Sequence, residues 1–85
     1  MALDILYFAW VREGIGLASE RVDPPAHVAT VADLIAWLAT RSAGHAEALA
    51  NPARLRAALD QNFVSLDAAI GTSREIALFP PVTGG

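Results

Sequence analysis

Residues Leu3 to Trp10 read LDILYFAW, an apolar run interrupted only by Asp4. Aromatic and branched side chains in a run this short predict a buried β-strand. Side chains alternate along a strand, so Leu3, Ile5, Tyr7 and Ala9 share one face, and Leu6, Phe8 and Trp10 share the other. A strand apolar on both faces has to be covered on both. The chain has 85 residues, which makes one small domain. One cover is therefore the domain's own helix, and the other is a partner protein or the curl of a small sheet.

The rest of the chain supplies that helix and more strands. Arg12 to Ser19 contains Gly14 and Gly16 and suits a loop or short helix. Ser19 to Asp23 reads as a short strand forming a hairpin with the first, closed by Pro24-Pro25. Thr30 to Arg41 is a helix: Thr30 is a good N-cap, Asp33 sits at N3, and Val31, Leu34, Ile35 and Leu38 form one apolar stripe. Trp37 lies off that stripe, either at its margin or exposed. Ser42-Ala43-Gly44 stops the helix, and His45 to Ala50 adds a further turn or two. Leu55 to Leu59 is a third strand, Asp60-Gln61-Asn62 a turn, Phe63 to Leu66 a short strand, and Asp67 to Arg74 a loop. Glu75 to Phe79 is the last strand, with Ile76 and Leu78 on one face and Ala77 and Phe79 on the other. Two hairpins separated by a helix give an α+β fold, a mixed sheet of four to five strands with one main helix packed across it.

Composition excludes several roles. Net charge is −3 with no basic cluster, which argues against nucleic-acid binding. No apolar run reaches the roughly 18 residues that cross a membrane, and the N-terminus lacks a secretion signal, so a soluble cytoplasmic protein is expected. The chain has no cysteine, hence no thiolate ligand and no thiol nucleophile. All six basic residues are arginine, a compositional bias that also leaves no lysine to attack an activated terminus. At 54% hydrophobic the chain is rich for its size, and some apolar surface is expected to stay exposed as a partner interface.

Side-chain catalysis finds no support. His27 and His45 form no HxxxH pattern and are expected to be exposed helix or loop residues, so no metal site is predicted. The serines lack a GxSxG context, and Gly14-x-Gly16 is no phosphate loop. Asp60 and Asp67 read as turn or cap residues. What remains is the end of the sequence, Phe79-Pro80-Pro81-Val82-Thr83-Gly84-Gly85. Two prolines favour an extended path, and two glycines without Cβ atoms suit a narrow cleft. The organisation expected is a domain over residues 1–79 and a projecting tail over 80–85, whose reactive group is the α-carboxylate of Gly85.

The FPPVTGG end, after EIAL, resembles the small subunits of molybdopterin synthase, which are ubiquitin-like sulfur carriers. The likeness extends to ILYFAWVRE, TVADLIAWLA and LRAALDQNFVS, nearly the whole chain. It implies a β-grasp fold with the first and last strands parallel at the centre. It also implies that this chain has no catalytic site of its own. Gly85 would be adenylated by a ubiquitin-activating-type enzyme using ATP and Mg, then converted to a thiocarboxylate with sulfur from a persulfide donor. Gly84 would give clearance. The large subunit of molybdopterin synthase, in a heterotetramer, would take the tail and pass the sulfur to cyclic pyranopterin monophosphate. Partner contacts are implied at Phe8, Arg12, Phe63, Phe79, Pro80, Pro81, Val82 and Thr83. The chain departs from the family before the last strand, where GTSRE replaces DGDE and a different turn is expected. Three other roles fit a Gly-Gly end: a sulfur carrier for thiamine or cysteine synthesis, a ubiquitin-like protein modifier, and a plain interaction domain.

Overall fold

The computed structural model describes residues 2–81. Its described elements are strands β1 (Leu3–Tyr7), β2 (Ser19–Val22), β3 (Arg56–Leu59), β4 (Asn62–Val64) and β5 (Glu75–Phe79) and helices α1 (Ala9–Ile15), α2 (Val31–Leu38) and α3 (Ala43–Ala48), with a 3₁₀ turn at Pro52–Arg54. The strands form one mixed sheet in the order β2-β1-β5-β3-β4. β1 and β5 are parallel neighbours at its centre, with Ile5 opposite Ile76 and Tyr7 opposite Leu78. The other pairings, β1–β2, β3–β5 and β3–β4, are antiparallel.

Alternation decides which face is covered. Leu3, Ile5 and Tyr7 of β1, Ala57 and Leu59 of β3, and Ile76 and Leu78 of β5 point to one side and are buried. There they meet Val31, Leu34, Ile35 and Leu38, the stripe of α2, together with Val11, Val22, Leu49 and Leu55. The capping box of α2 is complete: Thr30 Oγ1 accepts from the Asp33 amide, and the Asp33 carboxylate accepts from the amides of Thr30 and Ala29. Those two amides hold the Asp33 carboxyl below the usual carboxylate range.

The chain leaves β1 earlier than the apolar run predicts. Phe8 is extended, Ala9 turns to φ +53°, and the Phe8 carbonyl accepts from the amides of Val11 and Arg12. Trp10 is therefore a helical residue packed at the margin of the core, not an outer-face strand residue. The apolar run misleads because Ala9 and Trp10 fit a strand as well as a helix, and the reversal lies in the backbone at Ala9. Helices α1 and α3 pack closely. A Cβ built on Gly44 would stand 2.7 Å from the Gly14 carbonyl oxygen, so this crossing requires glycine.

Candidate functional site

The unburied face of the sheet carries the residues singled out in the sequence. Phe79 is the last residue of β5, and its cross-strand partner is Arg56. Phe63 of β4 lies opposite Ala58, which lies opposite Ala77 and then Leu6, so these residues share the outer face. Phe63 is 82% exposed and Phe8 46%, unusual values for phenylalanine. The Phe63 and Phe79 rings stand 5.7 Å apart, tilted by 50°. With Arg56, Ala57, Val64 and Pro81 they line a hollow of about 340 Å³. Pro80 and Pro81 are half-buried where the tail leaves the sheet. The Phe8 amide donates to the Leu78 carbonyl, which sets the start of α1 beside the same exit.

The structure thus gathers Phe63, Phe79 and Pro81 around one apolar depression, with Phe8 beside the end of β5. On this outer face Leu6, Ala77 and Phe79 stay partly exposed. Two exposed phenylalanines, Phe8 and Phe63, and the half-buried Phe79 lie where the chain leaves β5. Arg12 is exposed on α1, one turn past Phe8, and has no carboxylate partner among the described residues. Val82, Thr83, Gly84 and Gly85 lie outside the described residues. A larger hollow, about 450 Å³, sits at the opposite end of the sheet between Leu3, Pro24, Val28 and Ile70, away from the tail.

Sequence reasoning misplaced His45, which is 6% exposed rather than a surface residue. Its Nε2 lies 2.6 Å from Oε2 of Glu20, and its Nδ1 lies 2.7 Å from the Ser42 hydroxyl. The Tyr7 hydroxyl donates to the same Glu20 oxygen at 2.7 Å. Arg41 Nη2 stands 3.5 Å from the other oxygen. A carboxylate only accepts, so Nε2 of His45 carries the proton. Burial pushes Glu20 up, but the hydrogen bonds from His45 and Tyr7 outweigh it and hold the carboxyl below its ordinary range. Tyr7 is pushed well up, first by burial and then by Glu20. Ser42 caps α3, its hydroxyl accepting the His45 amide. The string Ser42–His45–Glu20–Tyr7 ties α3 to β2 and β1. It is a structural tie at the covered face, and its signal in the sequence was Tyr7, a phenol on a buried face that needs an acceptor.

Among the described residues no group of three or more His, Cys, Asp or Glu converges as a metal site, and no helix is long and apolar enough to cross a membrane.

The fold and exit define a ubiquitin-like β-grasp domain with a C-terminal lead. Over residues 5–85, through the final glycine, the sequence matches the model of the ThiS family, and the chain belongs to that family. It is 39% identical to the molybdopterin synthase sulfur carrier subunit of Escherichia coli K12 over 83 residues, covering 98% of this chain and 99% of that one. It is 36% identical over the same share of both chains to the subunit of that name from Haemophilus influenzae. The crystal structure of the small archaeal modifier protein 1 of Haloferax volcanii superimposes with a TM-score of 0.70 at 27% identity, covering 95% of this chain and 98% of that one.

Proposed function

We propose that this chain is the sulfur carrier subunit of a molybdopterin synthase and works through its own C-terminus. The observation that carries the reading is the full-length match to sulfur carrier subunits, with the family match running through Gly84 and Gly85. The geometry agrees with it: a central strand leads straight into Pro80-Pro81 beside an exposed apolar hollow.

A carboxylate is a poor electrophile, because it is anionic and its oxygen leaves badly. Adenylation solves both problems. The Gly85 carboxylate attacks the α-phosphorus of ATP, pyrophosphate leaves, and an acyl adenylate results. ATP and Mg belong to the adenylating partner. The terminal sulfur of a persulfide then displaces AMP, and a thiol cleaves the resulting acyl disulfide to leave a thiocarboxylate on Gly85. In the large subunit this sulfur is passed to cyclic pyranopterin monophosphate. Val82, Thr83 and Gly84 thread the tail, and delivery into a preformed pocket supplies the rate advantage of proximity. Phe8, Phe63, Phe79, Pro80 and Pro81 dock the domain, with Arg12 at their edge. The site of action is the cytoplasm.

Intact-mass measurement after incubation with the adenylating enzyme, ATP and a persulfide donor tests this. The expected result is one oxygen-for-sulfur exchange at Gly85, lost when one residue is appended after it. An unchanged mass in the presence of active partners rejects the reading. The likeness to an archaeal modifier protein favours a second reading, conjugation to target lysines. Isopeptide-linked adducts in lysate, without the sulfur exchange, would select it.

A further inference from the structure

Six arginines serve a chain of net charge −3, and their pairing is uneven. Arg21 pairs with Asp4 and Arg41 with Glu20. Arg12, Arg54 and Arg56 are exposed and have no carboxylate partner among the described residues, and all three belong to the end of the sheet where the tail emerges. Arg56 opposes Phe79 across the β3–β5 ladder and lines the hollow with Phe63 and Pro81. Its Nη1 donates to the Leu55 carbonyl at 2.9 Å, which holds the guanidinium near its own turn. Arg54, two residues before, stacks its guanidinium 5.3 Å from the centre of the Trp10 ring on α1. Arg12 follows Trp10 on that helix. The fixed cations are thus positioned without being neutralised.

The acidic residues lie mainly elsewhere. Asp4 and Glu75 face each other at the start of the β1–β5 ladder, Asp60 is in the β3–β4 turn next to the first residues of β5, and Asp33 caps α2. Arg74, also without an ion pair among the described residues, sits among them, its amide bonded to Asp60. Against Arg12, Arg54 and Arg56 stand Glu13, beside Arg12 on α1, and Glu47, exposed on α3, which packs against α1. A chain that is negative overall therefore presents a positive rim around an apolar centre.

We infer that Arg54 and Arg56, together with Arg12, form a cationic rim that steers the tail-bearing face onto an acidic protein surface flanking the mouth that admits the tail. The inference rests on the carrier reading and specifies its partner: the large subunit bears carboxylates around its tail-binding opening. Gly85 lies six residues beyond Phe79, the last residue of β5, so the rim beside Phe79 is assigned to the partner's outer surface and not to the chemistry at Gly85. Rim charges of this kind act on encounter more than on dissociation.

The test is stopped-flow association of the full chain with the large subunit across ionic strength. The variants are Arg54→Glu/Arg56→Glu, the neutral Arg54→Gln/Arg56→Gln, and Arg21→Glu/Arg74→Glu, which has the same net charge as the first but alters the other end. The expected result is association about tenfold slower for the first pair at low salt, a smaller loss for the neutral pair, and little change for the control pair. Association changes more than dissociation, and the differences close near 0.5 M salt, where screening is short-ranged. Equal rates for all variants that remain folded by circular dichroism overturn the rim. An equal loss in the control pair also overturns it, by reducing the effect to net charge. Absence of any wild-type complex overturns the carrier reading itself.

Discussion

Oε2 of Glu20 receives two protons' worth of hydrogen bonding at once, from Nε2 of His45 at 2.6 Å and from the Tyr7 hydroxyl at 2.7 Å. His45 lies 25 residues from Glu20 along the chain, so this contact fastens the α3 segment to the edge strand β2. The Glu20 carboxyl is held below its ordinary range. A group depressed in the folded state contributes stability above its unfolded pKa, and that contribution is lost as pH falls through the folded value. Glu20→Gln is therefore expected to lower stability at pH 7 by about 1–3 kcal/mol, the cost of weakening hydrogen bonds to a partly buried charged group. The gap between variant and wild type narrows on acidification below about pH 4, near the unfolded carboxylate value. Urea midpoints at neutral and acid pH check it; a gap constant with pH would show that the carboxylate's charge is not what stabilises the tie.

Gly44 and Gly14 set the spacing of α3 against α1. A Cβ on Gly44 meets a backbone oxygen, which cannot rotate away as a side chain can. Alanine gains about 1 kcal/mol of helix propensity over glycine, and overpacking costs about 1–3 kcal/mol. The clash should win, leaving Gly44→Ala less stable by about 1 kcal/mol in a urea titration. A stabilised variant would mean that α3 rides outward freely.

The parts of this fold that could be read from the sequence are those whose signal is local. Thr30 and Asp33 announce the start of α2 because the capping box lies within four residues. The buried positions of β5 follow from strict alternation at Ile76 and Leu78. Helix α1 was not legible in its first turn, because the break at Ala9 is a backbone reversal inside an apolar run. His45 was not legible because its partner is remote in sequence and only the folded corner brings them together. Phe63 and Phe79 could be named as surface candidates, but their pairing into one hollow depends on the β5-β3-β4 order. Arg54 and Arg56 were invisible as a rim, since three separated arginines make no cluster along the chain.

The β3–β4 hairpin turns at Asp60 and Gln61, with φ of +46° and +72°. Positive φ at both central positions is the mirror-image turn that matches strand twist and prefers Asn or Asp followed by Gly. Asp60 suits its place and also accepts from the amides of Arg74 and Glu75, which fixes the start of β5. Gln61 does not suit its place. Gln61→Gly is expected to stabilise by about 0.5 kcal/mol, the relief of left-handed strain less the extra entropy of glycine in the unfolded chain. Gln61→Val, β-branched, should cost about 1 kcal/mol. Thermal unfolding of both decides the matter; equal melting temperatures would mean that the turn relaxes at no cost.

Phe63 and Phe79 separate folding from docking. Phe63 is 82% exposed, so Phe63→Ala should change folding stability by less than about 0.5 kcal/mol. Phe79 is half-buried against it, and Phe79→Ala should cost about 1 kcal/mol. Both are expected to weaken binding to the large subunit by about 10- to 100-fold, the loss typical of an aromatic at the centre of an interface. The two truncations should be less than additive, because each ring supports the other at 5.7 Å. Calorimetric titration with the large subunit, beside urea unfolding of the same variants, makes the check. A Phe63→Ala variant that folds and binds as the wild type would remove the outer sheet face from the interface. The tail alone would then have to hold the complex together.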